Sequence, residues 1–275
     1  MIGAGDAASR ARPTFTLDAG HIDLWLAYTE DLSDDAQRTA YRGMLTAEEA
    51  LRERRFHFQH DRDLYLLSRA LTRAVLGQYC GAPPGNLAFA AGPYGRPTLT
   101  SPQSSLVFNL SHTRGLVALA VGYDRELGVD VETLQRQNLL DVADRFFAST
   151  EVVDLQALPE ERRHERFFEF WTLKESYIKA RGMGLQLPLD KFAFHFWSDS
   201  HLRFEIHPML GDHADRWSFV QFRADPAFML ALCHERGSGA PPQIRVRRTT
   251  PELERCIEVE LESPRWSRFG SSLAG

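Results

Sequence analysis

The sequence predicts an α/β fold of the α+β kind, built as two similar halves. Three observations carry that prediction. Apolar alternation and helical periodicity follow one another in the order strand, helix, strands, then helix, strands. Two long helical patterns each run into a glycine, Gly81 and Gly182, the residue that most readily takes the left-handed turn closing a helix. The stretch "WSFVQFRADPAFMLALC" also echoes "SLVFNLSHTRGLVALAV" in length and rhythm. The halves are expected at about 15–125 and 126–250, each a long helix on a small, mostly antiparallel sheet. Residues 1–14 are expected to be disordered and 251–275 to form a tail, as an added strand or a loose end.

In order, "HIDLWLAYT" sets Ile22, Leu24 and Leu26 against polar neighbours and reads as a strand. Residues 45–81 follow with Thr46 and Glu49 in a capping-box pattern. Leu64, Leu67, Leu71 and Val75 then recur at helical spacing, so this region holds at least one long amphipathic helix, broken near 57–61. Short strands and turns come next: "NLAFAAGPYGRPTL", "SLVFNLSHTRGLVALAVGYD" and "ELGVDVETL". The second helical region, "RRHERFFEFWTLKESYIKARG", spaces Phe167, Phe170, Trp171, Lys174 and Ile178 by three or four. "DKFAFHFWS", "LRFEIHP" and "RWSFVQFRADPAFMLALCHE" alternate again as strands, and the Gly- and Pro-rich "GSGAPPQ" reads as disordered.

At 275 residues and 43% hydrophobic content the chain can bury one large core or two moderate ones. A formal charge of -5 gives no global attraction to nucleic acid or anionic lipid, so any anion must be held locally. No apolar run approaches a membrane span and the first residues lack a secretory pattern, so no membrane partner and a cytoplasmic location are expected. Cys80, Cys233 and Cys256 are odd in number and far apart, against a disulfide framework or a zinc site.

Three groups of residues could carry chemistry. In "GVDVE", if it is a strand, Val129 and Val131 face one way and Asp130 and Glu132 the other. Two like charges so close repel and need a cation, unless that face is simply wet. In "WTLKESYIK", Glu175 and Lys179 are four apart and share a helical face, with Lys174 beside them; a solvent-facing ion pair fits equally. Three carboxylates from a strand and a helix would suit Mg²⁺. In "NLSHT", Ser111 and His112 fall where a strand gives way to a turn, as anion ligands or as turn residues. No G-x-S-x-G or Gly-rich phosphate loop accompanies them.

The series "YGRP", "FNLSHT", "GVDVE" and "FWTLKESYIKARGMGL" resembles the 4'-phosphopantetheinyl transferases of the surfactin-synthetase type. The resemblance covers about residues 50–195, more weakly to about 235, and rests on the combination of "GVDVE" with W-x-x-K-E-x-x-x-K some 40 residues on. It implies a pseudodimer, two similar halves in one chain with the active site in the cleft between them. It also implies transfer of the 4'-phosphopantetheine arm of coenzyme A to a serine of an acyl or peptidyl carrier protein, with release of 3',5'-adenosine bisphosphate. By the same resemblance Asp130, Glu132 and Glu175 are Mg²⁺ ligands, the sequence leaving open whether Mn²⁺ can replace Mg²⁺; Glu175 is the candidate general base or only a ligand. Lys179 would stabilise the transferring phosphoryl group or protonate the leaving bisphosphate, and Lys174, Ser111 and His112 would meet phosphate. Arg96 would lie near the adenine or ribose phosphate, and Arg62 or Arg69 would reach the 3'-phosphate. A chain carrying both halves is expected to be a monomer. A non-catalytic coenzyme A or carrier-binding module, and a metal-dependent phosphohydrolase, are the competing readings.

Overall fold

The computed structural model describes residues 15–136, 142–261 and 264–267. The N-terminal 14 residues and nearly all of the last nine, both expected to be disordered, lie outside the described residues. The elements in chain order are β1 (His21–Tyr28), α1 (Asp35–Arg42), α2 (Ala47–Arg54), α3 (Gln59–Cys80), β2 (Ala88–Ala91), β3 (Pro97–Ser101), β4 (Leu106–Thr113), β5 (Leu116–Tyr123), β6 (Leu127–Thr133), α4 (Ala143–Phe146), α5 (Ser149–Ala157), α6 (Glu160–Arg181), β7 (Phe192–Ser198), β8 (His201–Ile206), β9 (Trp217–Asp225), β10 (Phe228–Glu235), β11 (Gln243–Thr249), β12 (Cys256–Val259) and β13 (Arg265–Ser267).

The two long helices match. Both α3 and α6 have 22 residues, and both stop at a glycine in the left-handed region, Gly81 at φ 61° and Gly182 at φ 62°. The expected capping box opens α2, where the Thr46 hydroxyl accepts from the Glu49 N–H and the Glu49 carboxylate accepts from the Thr46 N–H. Each long helix lies on its own sheet. The first sheet has the order β12-β11-β1-β5-β4 and the second β6-β10-β9-β13-β8-β7, with β2-β3 as a separate hairpin.

Strand alternation sorts the side chains into layers. On β1, Trp25 and Ala27 point toward Leu67, Leu71 and Val75 of α3, while Ile22, Leu24 and Leu26 point the other way. There they meet Val129 and Val131 of β6 and Leu230 and Leu232 of β10. The second face of the β6–β10 sheet packs on α6 through Phe170, Leu173, Tyr177, Met229 and Ala231. The resulting order is helix, sheet, sheet, helix, with an apolar middle layer joining the halves. Burial of that layer removes both sheets' inner faces from water, the main favourable contribution to their association.

The chain after residue 242 departs from expectation. Strand β11 pairs in parallel with β1, His21 opposite Gln243 through Leu26 opposite Arg248. Residues 243–249 therefore extend the first sheet and are not part of a contiguous second half ending at 250. Strand β1 is thereby an interior strand buried on both faces, and its Asp23 is wholly buried against Arg245 and Arg247. The tail is not a loose end either: β12 continues the first sheet, and β13 inserts between β8 and β9 of the second. No helix among the described residues is long and apolar enough to cross a membrane.

Candidate functional site

The site is set by how closely α6 approaches β6. A side chain at Gly128 would stand 2.2 Å from the Ser176 carbonyl oxygen and 2.3 Å from the Ala180 nitrogen, so only glycine lets the helix backbone rest on the strand there. Val129 and Val131 fill the middle layer. Asp130 and Glu132 therefore face the helix, as the alternation predicts, and Glu175 and Lys179 lie one turn apart over them.

Asp130 is 4% exposed. Its Oδ1 accepts from Lys179 Nζ at 2.6 Å and from the Ser111 hydroxyl at 3.1 Å. Its Oδ2 is buried and accepts no hydrogen bond. Glu132 is reached by Arg136 at 3.4 Å, a long contact from an exposed side chain. Burial raises the Glu132 pKa, and Asp130 raises it further. For Glu175 burial is again the largest cause; Asp130 and Glu132 add to it and Lys179 opposes, leaving a carboxyl pushed up to about 7. Negative charge here exceeds the cations that meet it. Among the described residues no group of three His, Cys, Asp or Glu side chains is already gathered as a metal cage.

Ser111 and His112 do not act together. Both lie within β4 rather than at its turn, and as neighbours in a strand they project to opposite faces. Ser111, 5% exposed, accepts from Lys179 at 2.8 Å and from the Val131 N–H at 3.3 Å besides donating to Asp130. It belongs to the carboxylate cluster and has no free face for a phosphate. His112 stands in a cavity of about 190 Å³ lined by Arg69, Thr72, Arg73, Phe89 and Phe108. The surrounding protein lowers its imidazole pKa, and the charges of Lys179 and Arg69 lower it further.

The structure separates the two arginines between which the sequence leaves a choice. Arg62 donates to the Phe56 carbonyl at 2.8 Å and serves its own loop. Arg69 lies beside His112 with its Nε buried and unpaired, its guanidinium 5.4 Å from the Tyr65 ring. Arg96 is also redirected: it donates to the Ala180 carbonyl at 2.8 Å and the Leu127 carbonyl at 3.0 Å, tying the β2–β3 hairpin to the end of α6.

Lys174 is the clearest correction. It is 0% exposed, and its ammonium contacts Glu151 at 2.7 Å, the Leu189 carbonyl at 2.8 Å and the Phe192 carbonyl at 2.7 Å. All three of its donors are used inside the core, so it cannot meet a phosphate. The signal was present in the sequence: Lys174 falls on the apolar stripe with Phe167, Phe170 and Ile178, about 140° around the helix from Lys179. Three further residues that position the site have no signal in the local sequence pattern: Gly128, on which the helix rests, and Asn109 and Thr113, which accept from the strand β6 backbone.

Two family models match this chain. One, described as the 4'-phosphopantetheinyl transferase superfamily, covers residues 126–233; the other, 4'-phosphopantetheinyl transferase, N-terminal, covers 33–123. The 4'-phosphopantetheinyl transferase HetI of Nostoc sp. is 36% identical over 176 residues, 63% of this chain and 73% of that protein. The chain belongs to the 4'-phosphopantetheinyl transferase family. Within the family it is also similar to a 4'-phosphopantetheinyl transferase of Bacillus subtilis, 32% identical over 69% of this chain and 81% of the relative. Sfp of Bacillus subtilis is 29% identical over 77% and 92%. In this transferase the cluster draws Ser111 from the segment matched by the N-terminal model and Asp130, Glu132, Glu175 and Lys179 from the segment matched by the superfamily model.

Proposed function

We propose that this transferase moves the 4'-phosphopantetheine arm of coenzyme A to a serine hydroxyl of an acyl or peptidyl carrier protein, in the cleft between its halves, releasing 3',5'-adenosine bisphosphate. The observation that carries the reading is the cluster of three carboxylates with one lysine, holding a buried carboxylate oxygen without a partner. A hard cation fits that donor set, and Asp130, Glu132 and Glu175 would hold Mg²⁺, or Mn²⁺ in its place. Such a cation supplies charge neutralisation to the coenzyme's pyrophosphate.

The chain's own groups do the rest. Glu175, which shares the cluster with Asp130, Glu132 and Lys179, is the group we assign to accept the serine proton. The serine oxygen then bonds to the phosphorus bearing pantetheine, and the bond from that phosphorus to the oxygen of the bisphosphate breaks. Lys179, partly exposed and held between Asp130 and Ser111, is placed to donate to the phosphoryl oxygens or to the leaving bisphosphate. The nucleophile comes with the partner. His112 and Arg69, in their shared cavity, are the groups we assign to the coenzyme's other phosphate. One chain supplies both halves and their apolar seam, so we propose a monomer, working in the cytoplasm without nucleic acid or membrane.

Incubation with an apo carrier, coenzyme A and Mg²⁺, followed by mass spectrometry of the carrier, tests the reading. A carrier heavier by one phosphopantetheine is the expected result. No gain across acyl and peptidyl carriers sinks it; hydrolysis of coenzyme A without a carrier would favour a phosphohydrolase, and binding without turnover a non-catalytic module.

A further inference from the structure

The seam between the two sheets is made in an unusual way beside the carboxylates. Strand β6 is the outer strand of the second sheet and β4 that of the first, so among the described residues each has one edge with no strand bonded to it. Buried N–H groups along such an edge need acceptors. Three of those on β6 find them in side chains of β4: Val129 N–H donates to Asn109 Oδ1 at 2.8 Å, Val131 N–H to Ser111 Oγ at 3.3 Å and Thr133 N–H to Thr113 Oγ1 at 3.3 Å. All three acceptors are buried, and each lies 20 residues before its donor. That constant offset means that β4 and β6 run in the same direction, in one register.

Asp130 lies between the first and second of these bonds, and Glu132 between the second and third. Each carboxylate is thus carried by backbone held on both sides. Ser111 is itself in the cluster, but Asn109 and Thr113 bond to neither Asp130 nor Lys179. A slip of one residue along this edge would turn Asp130 and Glu132 into the apolar layer and the valines toward α6.

We propose that Asn109 and Thr113 are positioning residues for the transfer, fixing β6 against β4 so that Asp130 and Glu132 face Glu175 and Lys179. This rests on the reading that the carboxylate cluster performs the transfer. Displacement of reacting groups by about an ångström costs roughly 100-fold in rate, so loosening these bonds should appear in kcat. Thr113 has no part in the cavity around His112, so the KM for coenzyme A should be left alone by changes at this position.

The test compares Thr113→Val, which keeps the shape and loses the acceptor, with Thr113→Ser, which restores it, beside Asn109→Ala. Carrier modification gives kcat and KM; hydrogen exchange gives the protection of the Val129, Val131 and Thr133 amides. Thr113→Val should lower kcat roughly 10- to 100-fold with the KM for coenzyme A within about twofold, and should speed exchange at Thr133. Thr113→Ser should recover most of kcat. Asn109→Ala should lower kcat and speed exchange at Val129, but Asn109 also lines the cavity around His112, so only Thr113→Val is held to an unchanged KM; if Asn109→Ala fails to fold, the Thr113 pair carries the test alone. Faster exchange at Thr133 with wild-type kcat in Thr113→Val overturns the proposal, as does a loss of kcat that serine does not restore. Wild-type turnover in Asp130→Ala would instead remove the reading of the cluster itself, whatever the Thr113 variants do.

Discussion

Lys174 and Lys179 stand five residues apart on one helix and meet opposite fates. Lys174 closes a complete arrangement: its three donors are used, and Glu151 accepts the Phe194 and Ala148 N–H groups, each at 2.9 Å, as well as the lysine. Lys179 joins an incomplete one. Its side chain is 27% exposed, Asp130 keeps an unpaired oxygen, and Glu132 and Glu175 add charge that, among the described residues, only Lys179 and a long contact from Arg136 offset. A charge pair with every atom satisfied holds elements together, here α5 and β7 onto α6. One that leaves polar atoms and net charge over asks for a ligand.

The largest expected effect falls on the incomplete pair. Asp130→Ala and Glu175→Ala should each lower carrier modification by roughly 10³-fold or more, since charge stabilisation supplies most of the catalysis in phosphoryl transfer. Stability should change little, because removing one of three repelling carboxylates relieves the others. Thermal unfolding beside the mass assay checks both, and an Asp130→Ala protein that barely folds would erase the contrast.

Next comes the complete pair. Lys174→Met leaves the Glu151 carboxylate buried without its cation, which typically costs about 3–5 kcal/mol in unfolding free energy. Replacing both partners, as Lys174→Met with Glu151→Gln, should recover part of that, since the buried charge goes. Denaturant titration reads the difference. If Lys174→Met were as stable as wild type but inactive, Lys174 would belong with the site after all.

A third buried group widens the comparison. His234 is 5% exposed and its pKa is pushed down to about 4 by burial, so it stays neutral in the fold. Its folded pKa lies below the unfolded value, so the unfolded chain binds the extra proton and stability falls as pH drops from about 6.5 toward 4. That shift corresponds to about 3 kcal/mol once the pH is below 4. The slope of unfolding free energy between pH 7 and pH 4.5 should flatten in His234→Phe; an unchanged slope would mean that His234 protonates freely in the fold.

Local patterns in the sequence account for much of the cluster, and distant contacts for what it hides. The alternation around Val131 correctly puts Asp130 and Glu132 on one side, and the four-residue spacing puts Glu175 above Lys179, because both follow from the geometry of a single element. The apolar stripe of α6 already includes Lys174, and a strand through "NLSHT" already separates Ser111 from His112. In both places the structure follows the periodicity of the single element: Lys174 lies in the core, and Ser111 and His112 lie within one strand. Parallel pairing of β11 with β1 joins residues more than 200 apart and leaves no local trace. Gly128 is likewise unreadable without knowing that a helix 50 residues later rests on it.

The smallest effect tests whether the cluster's charge deficit is real. Among the described residues Arg136 is the other cation that reaches it, yet the guanidinium sits 3.4 Å from Glu132 on a side chain 53% exposed, where water screens it. Arg136→Ala should therefore change kcat by less than about threefold and stability by under about 0.5 kcal/mol. Lys179→Ala, removing a donor 2.6 Å from the buried Asp130, should lower kcat by roughly 10²-fold. Measured side by side at fixed Mg²⁺ and coenzyme A, equal losses for the two variants would mean that the carboxylates are balanced from the rim as well as from the helix. The distinction between a complete and an incomplete charge pair would then fail at the place where it matters most.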